Sequence, residues 1–210
     1  QTCALPIFLY KEEFLRGNKV KFNIKNVHYA AKTESGYDTP VALPGAVSIS
    51  LEQQGELSYF YADGVKYYTG SSNSGYQGDL ETALIDDEFR KTILKEVADK
   101  NKVLFENSDV EIQEFALGFQ IDGDKIPTLF WFYNCVATRP NVESKTNEDK
   151  KEPSTDKVNI SASPGKDGTI RAKTTEESYE AVKSNWFKKV YEKDGTTNQA
   201  QVTGGKAVNG

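Results

Sequence analysis

Methionine is absent from this chain of 210 residues; histidine occurs once, and cysteine and tryptophan twice each. Two thiols and one imidazole are too few for a structural zinc cluster, and no spacing ties a nucleophile or a carboxylate to His28. Basic charge is also short. Lysine and arginine number 26 against 31 aspartates and glutamates, for a formal net charge of −5. Such a balance argues against a surface for duplex DNA, which needs a basic face. It does not exclude DNA passing nearby, because an acidic wall repels phosphate. Long apolar runs are missing too, since the longest, Thr128 to Ala137, is far too short to span a bilayer. With 27% charged and 11% aromatic residues, the composition fits one soluble domain with a sizeable core.

The two ends stand apart from the rest. Gln1-Thr-Cys-Ala-Leu-Pro-Ile7 reads as the in-frame translation of a sequencing adapter. Lys11-Glu12-Glu13 can be encoded by a purine-rich ribosome-binding sequence, and Leu15 by a TTG start codon. Residues 1–14 are therefore expected to be foreign, and residues 1–17 to lie outside the fold. A peptide containing Cys3 from the native protein would end that expectation. Without the leader, Cys135 is the sole cysteine and no intramolecular disulfide forms, which is compatible with a reducing cytoplasm. After Tyr191 the chain turns to Gly, Thr, Gln and Asn, so 192–210 is expected as a loose tail and 18–191 as the domain.

Between those ends the pattern is mostly strand. Val20 to Ile24 and Val47 to Leu51 alternate apolar and polar residues. Leu57 to Tyr61 and Val65 to Thr69 flank Asp63-Gly64, a hairpin signal because tight turns need positive φ there. Tyr76 to Ile85, Val103 to Glu106, Glu114 to Ile121, Thr128 to Thr138, Val158 to Ser163 and Thr169 to Lys173 complete the series. In the strand from Thr128, Leu129, Trp131 and Tyr133 face one side and Phe130, Phe132 and Asn134 the other, so both sides must be covered. Two amphipathic helices are predicted. One is capped by Asp86 or Asp87, with Phe89, Ile93, Leu94 and Val97 as its stripe. The other opens on a Thr174-x-x-Glu177 capping box and lines up Tyr179, Val182, Trp186 and Val190. The expected fold is mainly β: a sandwich or barrel of two packed antiparallel sheets with two short flanking helices.

Little in this pattern does chemistry. Asp122-Gly-Asp124 lacks the further oxygen ligands of a calcium loop. The acidic pairs Asp86-Asp87 and Glu176-Glu177 sit at helix starts, where the dipole explains them. Trp131 and Trp186 read as core anchors, with a sugar-stacking platform as the other reading. No catalytic, metal or cofactor site is expected, nor an enzyme. Two segments invite contact with other chains. The run from Arg139 to Lys157 carries five bases and five acids; it reads as a solvated excursion or as an inter-ring arm presenting Glu143, Lys145, Glu148, Asp149, Lys150, Lys151 and Glu152. The polar loop Gly70, Ser71, Ser72, Asn73, Ser74, Gly75 is either a mobile hairpin end or an inter-subunit contact that orders on assembly.

Several pieces, taken in order, resemble a known family. They are Asn26-Val-His-Tyr-Ala30, Thr39 to Ser50, Tyr59-Phe-Tyr-Ala-Asp-Gly64, Gly75-Tyr-Gln-Gly-Asp-Leu-Glu81, Phe132-Tyr-Asn-Cys135, Arg139-Pro140, Ile160-Ser-Ala-Ser-Pro164 and Asn185-Trp-Phe187. Together they are similar to the major tail protein of long, flexible, non-contractile-tailed bacteriophages of Gram-positive bacteria. The resemblance implies a tail-tube-like fold and a virion tail protein assembled in the host cytoplasm. It further implies hexameric rings joined through their inner sheets and stacked around a tape-measure protein. Tail terminator or chaperone proteins would be further partners, and genomic DNA would pass through the lumen without specific binding; no membrane is involved. The physics suits it: closing a ring removes free sheet edges, and stacking ring on ring grows a filament. The rival expectation is a carbohydrate- or receptor-binding β-sandwich module of a phage tail or surface protein, which would stay monomeric and bind glycan.

Overall fold

The computed structural model describes residues 18–144, 146 and 153–193. Its strands are β1 (Lys21–Thr33), β2 (Gly36–Tyr37), β3 (Val41–Ala42), β4 (Ala46–Gln54), β5 (Leu57–Ala62), β6 (Val65–Ser71), β7 (Gly75–Thr82), β8 (Val97–Ala98), β9 (Leu104–Phe105), β10 (Phe115–Gly123), β11 (Thr128–Ala137), β12 (Asp156–Ala162) and β13 (Arg171–Lys173). Helix α1 (Asp87–Thr92) lies between β7 and β8, and α2 (Glu176–Val182) follows β13.

Hydrogen bonds run antiparallel through the order β2-β1-β10-β11-β12-β7-β4, with β3 on β1 and β13 on β11. The corner of the fold is β11. Phe130 to Phe132 pair with β13, whereas Cys135 to Ala137 pair with β12. Past that corner the layer β12-β7-β4 packs over the layer β1-β10-β11. Tyr29, Leu80, Phe115, Leu117, Phe132, Val158 and Ile160 fill the space between them. Tyr76 meets Phe132 edge-on at 5.2 Å across that core. The fold is therefore the expected mainly-β sandwich of antiparallel layers with two short helices.

Both faces of β11 are covered, as its sequence requires. Phe130 and Phe132 face the sandwich interior, while Leu129, Trp131 and Tyr133 face Trp186 and Val190 on the other side. Asn134 has φ +48 and bulges the strand, so that Cys135 and Ala137 return to the face of Phe132. Strict alternation could not anticipate that reset. A similar bulge at Asn26, φ +50, lets Ile24, Val27 and Tyr29 share the inner face of one long strand, β1.

The helices are shorter than their stripes. The Asp86 side chain caps α1, accepting from the Phe89 amide at 2.7 Å. Phe89, Ile93 and Leu94 are buried, but Val97, expected on the same helix, lies on β8 and is 63% exposed; Lys95 at φ +59 has already ended the helical path. Helix α2 is capped by Thr175 with Ser178, not by Thr174 with Glu177. The Thr174 hydroxyl is spent elsewhere, accepting from the Leu129 amide at 2.9 Å. Trp186 and Val190 continue the predicted stripe in turns beyond α2.

Candidate assembly surfaces

The antiparallel register gives the body two ends. At one, Gln54 pairs with Gly75 as β4 and β7 leave the sheet. At the other, Ala46, Thr82 and Asp156 lie side by side, and α1, β8–β9 and the exit of β11 follow.

Beyond Gln54 and Gly75 the two strands carry on as an arm, β5–β6, that belongs to neither layer. Its Asp63-Gly64 turn has φ +52 and φ +75, as the sequence predicted. Leu57, Tyr59, Phe60, Tyr61, Val65, Tyr67 and Tyr68 are all exposed, and none joins a core cluster. The pairing Phe60↔Tyr68 and Ala62↔Val65 puts those four on one face, and the Tyr67 ring stands edge-on to Phe60 at 6.5 Å. On the other face the Lys66 ammonium sits 3.4 Å above the Tyr59 ring. A two-stranded ribbon in water is marginal alone, and a bare aromatic surface of this extent marks a contact site. The sequence shows this hairpin but not its bareness. The available signal was the run of aromatics on both faces of Tyr59-Phe60-Tyr61, which must be covered on both sides or on neither.

The root of the arm is where the expected loop falls. Gly70 and Ser71 end β6 and Gly75 begins β7, so the connecting loop is only Ser72, Asn73 and Ser74. The loop is held: the Ser72 amide donates to Glu56 O at 3.0 Å, the Ser74 amide to Gln54 O at 2.8 Å, and the Gly75 amide to Asn73 Oδ1 at 3.2 Å. The strands approach so closely that a Cβ on Gly55 would lie 2.1 Å from Ser72 O, and one on Gly75 2.0 Å from Ala162 O. Of the charged excursion, Glu143 is exposed; Lys145, Glu148, Asp149, Lys150, Lys151 and Glu152 lie outside the described residues.

Two further features suit contact between chains. Strand β4 pairs only with β7, so among the described residues its other edge has no strand partner. The outward face of β4-β7-β12 is polar, with rows Ser48–Glu81–Lys157, Ser50–Asp79–Asn159 and Glu52–Gln77–Ser161. Hydroxyls from Thr155 at 2.6 Å and Ser48 at 2.9 Å donate to Glu81, and hold its carboxyl below the usual range. Asn159 donates to Asp79 at 3.1 Å. These acids are fixed mainly by neutral donors, so the face keeps a negative balance.

Concave sites offer less. A cleft of about 440 Å³ lies between Tyr37, Tyr133, Asn134 and Asp167. The Tyr133 hydroxyl donates to Tyr191 O, and the Tyr37 hydroxyl donates to Asn134 Oδ1 at 3.3 Å. Burial raises both phenols above their ordinary range, so neither is a base at neutral pH. His28 stacks on Phe187 with ring centres 4.5 Å apart. Among the described residues no group of three or more His, Cys, Asp or Glu could hold a metal ion, and no helix is long and apolar enough to cross a membrane.

No family model matches the chain, and no curated protein matches it in sequence. Solved structures similar to it include the anti-feeding prophage cap, a tube-terminating cap. The match has 7% identity and a TM-score of 0.45, covering 78% of this chain and 99% of that one. A chain of the sheath–tube complex of an extracellular contractile injection system, in its extended state, is similar at 8% identity and TM-score 0.41, over 71% of this chain and 88% of that one. A chain of the six-fold-symmetrised anti-feeding prophage baseplate is similar at 8% identity and TM-score 0.40, over 71% and 92%.

Proposed function

We propose that this protein is a non-catalytic, self-assembling subunit of a phage-type tail tube. Copies close into rings, six-membered by the resemblance of the sequence to major tail proteins of long non-contractile phage tails. The rings stack around a tape-measure protein, and DNA later passes down the bore. The observation that carries this reading is the β5–β6 arm, a ribbon whose seven large apolar side chains have no core behind them. Counting both faces, those side chains offer roughly 800 Å² to a partner, about one side of a standard stable interface. The unpaired edge of β4 supports lateral closure, since a ring leaves no edge free. The polar, acid-rich face of β4-β7-β12 suits the bore wall, where Glu52, Asp79 and Glu81 keep phosphate from sticking.

Negative-stain electron microscopy of the purified protein at rising concentration tests the reading. Rings and long tubes are the expected outcome; material that stays monomeric at millimolar concentration would overturn it. A glycan-binding module is the second reading, favoured by the tyrosine-walled cleft. It predicts a monomer whose glycan affinity falls on Tyr37→Ala. The tyrosine hydroxyls there already have protein partners, which weighs against it.

A further inference from the structure

The arm at one end of the body has a counterpart at the other. Beyond α1, the short ribbon β8–β9 pairs Val97 with Phe105. Val97, Val103 and Phe105 are 53–63% exposed. We propose that β8–β9 is the docking seat for the β5–β6 arm of a second copy, so that copies join head to tail. This inference rests on the assembling-subunit reading and names the surface that meets the arm.

Three observations carry it. First, the arm and the seat cannot meet within one chain. They leave opposite ends of β7, whose eight residues span roughly 26 Å. Each copy thus offers two unlike apolar surfaces at opposite ends, the arrangement of a heterologous contact that propagates.

Second, the seat is held in place although it is uncovered. Glu96, at the foot of β8, pairs with Arg90 of α1 at 3.2 Å, with its side chain 7% exposed. Past β9, Arg139 pairs with Glu106 at 3.0 Å and donates to Asn107 O at 2.9 Å, tying the ribbon to the exit of β11. Between the two strands, Asp99 accepts from the amides of Asn101 and Val103 at 2.8 and 2.9 Å. A site fixed before binding loses little freedom on binding.

Third, charge favours arm on seat over arm on arm. On the arm and its root, Glu56 and Asp63 outnumber Lys66. On the seat, Arg90 and Arg139 offset Glu96 and Glu106, which leaves Lys95, Lys100 and Lys102 against Asp99. Two arms together would set like balance against like, whereas arm on seat opposes them.

Two double variants of the full chain test the pairing. Phe60→Ser with Tyr68→Ser disables the arm and leaves the seat; Val97→Ser with Phe105→Ser does the reverse. All four positions are exposed, so both variants should unfold at the wild-type temperature. Each alone should stop at a single unit, ring or monomer, by mass photometry. An equimolar mixture should double that mass and go no further, because one good arm meets one good seat. Long polymers from the Val97/Phe105 variant would overturn the seat, and so would a mixture that never doubles. If instead the wild-type protein itself never assembles, it is the parent reading that falls.

Discussion

Trp131 and Trp186 each donate an indole hydrogen bond across the join between β11 and the segment after α2. The Trp131 indole donates to Trp186 O at 3.0 Å, and the Trp186 indole donates to Phe130 O at 3.4 Å. Both rings are buried, and the pair fastens the segment after α2 onto the outer side of β11. Trp186→Ala removes one indole with its hydrogen bond to Phe130 O, while the main-chain carbonyl that accepts from Trp131 remains. The substitution should cost about 3–5 kcal/mol, read from urea unfolding, with most of the loss recovered by Trp186→Phe only if packing outweighs the hydrogen bond. A loss under about 1 kcal/mol would show that the segment is not fastened there.

The Trp131 ring also lies on Gly118, its cross-strand partner. A Cβ at Gly118 would stand 2.7 Å from that ring, and the ring has no exposed side to move to. Gly118→Ala should destabilise by about 1–3 kcal/mol and shift the tryptophan emission spectrum. Unchanged emission together with unchanged stability would refute the contact.

Assembly should be sensitive at the root of the arm. Gly55→Ala places a methyl against Ser72 O and must part the strands there. The body should keep its wild-type melting temperature while tube yield in electron micrographs falls at least tenfold. Tubes of normal number and length would remove the arm from the assembly mechanism.

Cys135 should be chemically silent. It is fully buried, and desolvation pushes its thiol up to about 12. Peptide mapping after alkylation at pH 8 should find Cys135 unmodified in the folded protein and modified in urea. Rapid labelling of the native protein would show that this part of the core opens.

Acid should weaken the fold through carboxylates that the native state keeps ionised. Glu81 is held low by the Thr155 and Ser48 hydroxyls, and Asp122 chiefly by Lys25, 2.6 Å away, with Gln120 beside it. For groups depressed in the fold, the stabilisation is complete above the ordinary carboxylate range and drains away as pH falls through the lowered folded values. Melting temperature should therefore hold from pH 7 to about 5 and fall below about 4. Asp122→Asn and Glu81→Gln should each flatten the acid limb. An acid limb identical in both variants would assign the effect to other groups.

The local periodicities of the chain determined most of its strands, the Asp63-Gly64 turn and the two-sided burial of β11, because side chains on a pleated strand alternate whatever surrounds them. The sequence narrowed the α1 cap to Asp86 or Asp87 for the same local reason, since the bond spans three residues, and the structure selects Asp86. Only the tertiary structure decided that Leu57 to Ser71 stand clear of the core while Thr128 to Ala137 lie within it. Both segments are rich in aromatics, and alternation records which residues share a face without recording whether anything covers it. The same limit hid the β8–β9 display, since Val97 fitted a helical stripe until the positive φ of Lys95 turned the chain aside. Two apolar surfaces at opposite ends of one body are a relation between distant parts of the chain, and such relations exist only once the layers have packed.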